Sequence, residues 1–182
     1  MHGKGILHHA DGDVYEGDWV NDKADGKGTY WHSSGANYKG NWRCDKQHGY
    51  GVEVWPDGKE YEGQYADGKK HGDGKLKFVD GSVYQGTFKN NEIEGFGTYI
   101  WPDKKMYQGA WLNNKMHGEG HLQWPCGKQY IGEFYDDKRH GKGKFLWTDG
   151  RIYDGEWVRG KQSGFGLFRK DGVSRKGFWV DG

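Results

Sequence analysis

Cysteine is scarce in this chain. Cys44 and Cys126 are the only two in 182 residues, and they stand at unrelated positions, so no disulfide framework is available and a reducing cytoplasm is the expected compartment. Charge of one sign is lacking as well. Lys and Arg number 27 against 26 Asp and Glu, a net +1 with no long block of either sign. That balance excludes strong nonspecific attraction to nucleic acid or to anionic membrane, which needs a cationic surface that outlasts screening by salt. There is no apolar run long enough to span a bilayer and no signal peptide. Helical periodicity is absent throughout, and glycine at nearly one residue in five leaves no room for an α-helix of useful length. No GxSxG, HExxH or Walker pattern occurs.

What is present is period. Tyr15, Tyr38, Tyr61, Tyr84, Tyr107, Tyr130 and Tyr153 are spaced 23 residues apart, and each opens a Tyr-x-Gly-x-aromatic motif such as YEGDW, YEGQY or YQGAW. A Gly-x-Gly pair recurs with the same spacing, from Gly3/Gly5 to Gly164/Gly166, and all 34 glycines fall on positions of the unit. A fixed period of this length marks a repeat array rather than a domain with one enclosed core. Composition alone, with 29% charged residues, would suggest disorder. The aromatics, 16% of the chain with ten Trp, argue for order, because each ring supplies a large buried area.

Each unit reads as a β-hairpin. Tyr15, Gly17 and Trp19 alternate with Glu16 and Asp18, which places the aromatics and the glycine on one face. Gly118, Gly120, Leu122 and Trp124 repeat the pattern in a second strand, as do Gly141, Gly143, Phe145 and Trp147. Strand glycines of this kind leave space for a neighbouring ring to lie flat against the backbone. One turn ends in Asp, Asn or Gly, as in Asn21-Asp22, Asp67-Gly68 and Asn113-Asn114, residues that tolerate positive φ. The other is a Pro/Asp/Gly turn, as in Pro56-Asp57-Gly58.

The succession YxGxW, turn, HGxG and WPDG closely resembles the MORN (membrane occupation and recognition nexus) repeat, over all 182 residues. The resemblance implies an all-β fold: an elongated, twisted, single-layer antiparallel meander of tandem hairpins. Roughly sixteen strands at about 4.8 Å spacing would make a ladder on the order of 75 Å long. Residues 1–182 read as one continuous array of about eight repeats. Because Met1 is followed at once by the middle of a unit, the array is expected to be a fragment of a longer one. Departures are local: His9 and His32 replace a turn-flanking ring, Lys104 replaces a turn glycine, and the last copy loses a residue between Gly166 and Gly172 while Arg175 takes the tyrosine position. That loss is expected to disturb register at the C-terminal end.

Catalysis finds little support. His2, His48, His71, His117 and His140 occupy one repeat position, as a structural residue would. The Gly-x-Gly pairs lack the following helix that a phosphate cradle needs. The cysteines are either free thiols in polar turns or halves of a zinc site completed by a second chain, with Cys44 and His48 in one loop and Cys126 in another. No cofactor is otherwise required. The second face carries apolar residues that a single layer cannot cover, among them Ile131, Leu146, Phe165 and Leu167, either scattered without consequence or the surface of a homodimer.

Three functions follow. The first is a non-enzymatic, self-associating scaffold that tethers cytoskeletal or membrane-skeleton proteins at the cytoplasmic cytoskeleton or membrane periphery. The all-repeat MORN proteins of protozoan parasite cytoskeletal and division structures, which this chain resembles, imply such a role. The second is a phosphoinositide-binding module using Lys69, Lys70, Lys138 and Arg139, with weak or indirect membrane contact because interspersed acids cancel much of the field. The third is the targeting arm of a larger enzyme.

Overall fold

The computed structural model describes residues 1–182, which form sixteen β-strands and no helix. The chain divides into two compact units, Met1–Glu92 and Ile93–Gly182. The first holds β1 (Gly3–His8), β2 (Val14–Val20), β3 (Lys23–Trp31), β4 (Asn37–Arg43), β5 (Lys46–Val54), β6 (Glu60–Ala66), β7 (Lys69–Lys77) and β8 (Val83–Lys89). The second holds β9 (Glu92–Ile100), which begins at the boundary, then β10 (Met106–Leu112), β11 (Lys115–Gln123), β12 (Gln129–Tyr135), β13 (Lys138–Leu146), β14 (Ile152–Val158), β15 (Lys161–Lys170) and β16 (Val173–Trp179). In each unit every strand pairs antiparallel with the next, so each is a single-layer meander, as the sequence pattern implies.

Within each unit, register aligns the motif glycines into a cross-strand row. In the first unit Gly5, Gly17, Gly28, Gly40, Gly51, Gly63, Gly74 and Gly86 face one another in turn. In the second the row runs Gly97, Gly109, Gly120, Gly132, Gly143, Gly155, Gly166 and Gly177. The motif tyrosines lie over this row, none more than 2% exposed. A methyl group on Gly28 would sit 2.4 Å from the Tyr15 hydroxyl, and one on Gly120 would sit 2.4 Å from a Tyr107 ring carbon. Each hydroxyl donates to the backbone carbonyl three residues on, at 2.8 to 3.1 Å. The polar end of each buried phenol is thereby satisfied, while desolvation pushes Tyr15 and Tyr84 up to about 12.

Rings then link repeat to repeat. Tyr15 meets Trp19 of its own strand edge-on at 5.1 Å and Trp42 of the next repeat at 5.1 Å. Tyr38 does the same with Trp42 and Tyr65, and Tyr130 with Phe134 and Trp157. The indoles of Trp19, Trp42, Trp111 and Trp157 donate to Gly5, Gly28, Gly97 and Gly143 carbonyls at 2.9 to 3.2 Å.

The first glycine of each Gly-x-Gly pair has a different role from the one its face suggested. Between the pairs Trp19↔Ala24 and Gly17↔Gly28, three residues oppose Asp18 alone. Gly26 turns through this bulge at φ 112°, while Gly49, Gly72, Gly118 and Gly141 sit at φ 57° to 71°. The left-handed region, rather than room for a ring, selects glycine there.

Asn21-Asp22 and its equivalents are two-residue hairpin loops with both φ values positive, including Cys44 at 48° and Arg159 at 50°, the geometry that matches strand twist. Their second member also clasps the preceding repeat. Asp137 donates its N–H to the Met116 carbonyl at 3.1 Å and accepts the Met116 N–H on Oδ1 at 2.8 Å. Asp45 with Ala24, Asn91 with Lys70 and Asn114 with Ile93 repeat this reciprocal pair. In the other turn the glycine position is left-handed, and Lys104 occupies it at φ 70°. The shortened last copy keeps its register. Asp171-Gly172 forms a two-residue loop in place of the longer turn, and β15 and β16 pair without a break from Gly164↔Trp179 to Lys170↔Val173.

Replacing Gly120 with alanine is expected to destabilise the protein by about 1–3 kcal/mol through overpacking against Tyr107, more than the roughly 1 kcal/mol for Tyr107→Phe, which removes one hydrogen bond. Urea unfolding of the two variants checks the order; Gly120→Ala costing less than Tyr107→Phe would contradict this packing.

Candidate functional site

With one face of each sheet closed by rings, the opposite face carries the available chemistry. In the first unit the glycine row presents bare backbone there. A groove of about 1030 Å³ opens over it, flanked by Lys4, Ile6, Lys27, Lys39, Tyr50 and Val52. A second hollow of about 430 Å³ begins on the far side of Tyr50 and includes Glu62, Asp73 and Lys75. The Tyr50 ring is 52% exposed. Its hydroxyl donates to Glu62 Oε1, and that bond raises the phenol above its ordinary pKa.

In the second unit the corresponding face is more apolar at one end. Phe165 and Phe178 stack edge-on at 5.1 Å, and they are 70% and 64% exposed. Leu167 lies one alternation along β15 on the same face. Ile131 shares its cross-strand row, Ile131–Lys144–Asp154–Leu167–Lys176, but the Lys144–Asp154 ion pair at 3.3 Å stands between them. Leu146 faces Gln129 and Ile152 in the adjacent row. Of the four residues read from sequence, Phe165 and Leu167 are therefore neighbours, and Phe178 joins them.

The other sequence-derived candidates disperse. The Cys44 thiol lies 4.0 Å from Asp25 Oδ2. His48 Nδ1 instead accepts the Asp67 N–H at 3.5 Å, bonding a neighbouring loop. Cys126 is exposed in the turn after Trp124, and no three ligand-type side chains gather within the chain. Lys69 and Lys138 are exposed, whereas Lys70 and Arg139 belong to the aromatic face. Lys70 pairs with Glu53 at 3.1 Å and lies 4.7 Å from the Trp55 ring. Arg139 lies 4.4 Å from the Trp157 ring and donates to the Gly160 carbonyl at 2.8 Å; burial lowers its pKa.

Two polar clusters on the aromatic face escaped the sequence reading. Glu53 stands where other repeats place Leu7, Tyr30, Leu76, Leu122 or Phe145, and it receives both Lys70 and the Tyr65 hydroxyl, the latter at 2.8 Å. A lone acid in an apolar column was the signal; the column of Lys70, which also holds Gln47, Arg139 and Gln162, gave none. Asp13 accepts the Tyr30 hydroxyl at 2.6 Å and the Ser33 N–H at 2.8 Å, and lies 3.2 Å from His32 Nδ1. Elsewhere this turn pairs a cation with an indole, as Lys59 with Trp55, Lys105 with Trp101 and Arg151 with Trp147. The exchange of Trp for His at positions 9 and 32 and of cation for Asp at position 13 hints at the switch. None of these groups forms a nucleophile–base pair in a cleft.

The family model of the MORN repeat matches residues 1–14, 15–36, 38–60, 61–83, 84–106, 107–127, 130–150 and 153–173. No curated protein sequence matches the chain. Among solved structures, the TCP10 domain of Danio rerio CPAP is similar in fold, at TM-score 0.55 and 15% identity over 97% of this chain and 84% of that one. The SAS-4 (dCPAP) TCP domain of Drosophila melanogaster, solved with a proline-rich motif of Ana2 (dSTIL), aligns at TM-score 0.54 and 12% identity over 97% and 90% of the two chains. The Danio rerio domain in complex with a STIL peptide gives 0.54 and 13% over 99% and 84%.

Glu53→Leu alone leaves Lys70 and the Tyr65 hydroxyl, both largely buried, without their partner, and a loss of about 1–3 kcal/mol is expected. Glu53→Leu with Lys70→Met should recover the share owed to the ion pair in a double-mutant cycle, but not the share of the Tyr65 hydroxyl, which loses its acceptor in both variants; additive losses would contradict the pairing. Asp13 is held down from 3.8 to about 2, first by the Tyr30 hydroxyl and then by the Ser33 N–H. A depressed carboxyl contributes stability that is full above its unfolded value and disappears as pH falls through the folded one. Asp13→Asn should therefore flatten the fall in unfolding midpoint between pH 3.8 and about 2, measured by thermal melts across that window. An unchanged slope would contradict the assignment.

Proposed function

The chain belongs to the MORN repeat family, and on that premise we propose that it is a non-enzymatic, self-associating scaffold that tethers cytoskeletal or membrane-skeleton proteins. The observation that carries this reading is the division of labour between faces. Every motif tyrosine is closed off on one face, so contacts with other molecules fall to the other. There the second unit exposes the stacked Phe165–Phe178 pair beside Leu167. An exposed aromatic pair on a single-layer sheet has no second layer to cover it, and an isologous contact with another copy buries it on both sides at once. That a TCP domain of similar fold is found with a proline-rich motif of Ana2 supports protein segments, rather than small molecules, as further partners. The setting that suits these contacts is the cytoplasmic cytoskeleton or membrane periphery.

The lipid reading has less behind it, because two of its four cations, Lys70 and Arg139, pack against rings. Zinc shared between copies through Cys44, His48 or Cys126 is a further element of the proposal that one sample series can test.

Light scattering on a sizing column should give a dimer mass that holds on dilution, and Phe165→Ser with Leu167→Ser should reduce it to the monomer. A monomer mass for the unaltered chain at every concentration would overturn self-association. Loss of the dimer on chelation would support the shared zinc; an unchanged mass would count against it.

A further inference from the structure

The central residues of the Gly-x-Gly motifs form a row of their own. Lys4, Lys27, Tyr50 and Asp73 stand 23 residues apart, on β1, β3, β5 and β7. Each lies beside the glycine row on the open face. Lys4, Lys27 and Tyr50 flank the larger groove, and Tyr50 and Asp73 the smaller hollow. All four are exposed, and Lys4, Lys27 and Asp73 make no ion pair within the chain. One variable side chain thus appears every second strand, at a spacing of about 9.6 Å.

Three residues of polyproline II helix advance about 9.3 Å and bring the same face round again. We propose that the groove of the first unit binds an extended, proline-rich segment of a protein partner, three residues per repeat. Its acidic residues would meet Lys4 and Lys27, an apolar residue Tyr50, and a basic residue Asp73. The proposal rests on the reading above that the chain binds protein.

Three observations favour this occupant. The groove floor is glycine backbone whose amides already serve the strand ladder, so a segment that needs no backbone pairing fits better than an added strand. Tyr50 is held by Glu62, which presents a fixed ring for prolines and aliphatic side chains to pack on. Glu16 and Asp18 stand on β2 between Lys4 and Lys27. A phosphoinositide headgroup, with its negative charge concentrated in one place, would meet those acids, whereas acids three residues apart on a segment pass either side of them.

The test uses the full chain and a fluorescein-labelled peptide, Glu-Pro-Pro-Glu-Pro-Pro-Leu-Pro-Pro-Arg, together with the same residues in reverse order, since polyproline helices dock in either direction. Fluorescence anisotropy at physiological salt should show saturable binding of one order. Lys27→Glu, an exposed change, should weaken it about ten-fold, and arginine in place of the peptide's second glutamate should restore it. No saturation with either order, indifference to Lys27→Glu, or failure of the arginine peptide to rescue would overturn the proposal. Binding of phosphoinositide-doped phosphatidylcholine vesicles that needs Lys27 while neither peptide binds would likewise overturn it and give the groove to lipid. The mass of the same samples by light scattering reports self-association separately, so failure of the groove and failure of the scaffold reading are distinguishable.

Discussion

A tyrosine ring lying on a row of glycines is the contact from which the rest of this structure follows. The ring reaches the backbone only because no Cβ intervenes, and its hydroxyl closes onto a carbonyl of its own strand three residues on. Once seated, it offers its edges to an aromatic four residues along and to another from the next repeat. The same geometry therefore builds the hairpin and joins it to its neighbour. Large rings let a single layer reach near-complete burial of its tyrosines, which explains how a strongly charged, glycine-rich sequence can fold at all. The acids in this layer come with partners: Glu53 with Lys70 and Tyr65, and Asp13 with Tyr30 and the Ser33 N–H.

Using one face to fold frees the other to vary. On the open face the glycine row contributes no side chains, so its character is set by the residues beside it: lysines and Tyr50 in the first unit, Phe165 and Phe178 in the second. A repeat array that keeps its aromatic face constant can change partners by altering one open-face residue per repeat, with little effect on stability. Scaffolding suits such an arrangement better than catalysis, which needs convergent groups in an enclosed site.

Much of this was legible in the sequence because it repeats. The 23-residue spacing, the Tyr-x-Gly-x-aromatic strand and the Asn/Asp/Gly loops give the fold, the aromatic face and the turns directly. What escaped was relational. That Gly26 serves a bulge while Gly28 lies under Tyr15 depends on register between strands, and both read simply as strand glycines. Asp137 looks like a turn former until its clasp on Met116 is seen. Lys70 and Arg139 look like surface cations because their rings come from distant positions. Phe178, which completes the patch begun by Phe165, stands in the column that holds Asp18, Asn41 and Glu156 in earlier copies, but the residue lost from the last copy moves it off the 23-residue count.

Residue-resolved native-state hydrogen exchange tests the central contact most directly. If the tyrosine–glycine seat holds each unit together, the slowest amides should flank the glycine row and recur every 23 residues. Loops and turns should exchange faster. A slow set centred on the loop clasps or confined to one hairpin, with the glycine row exchanging early, would contradict the account.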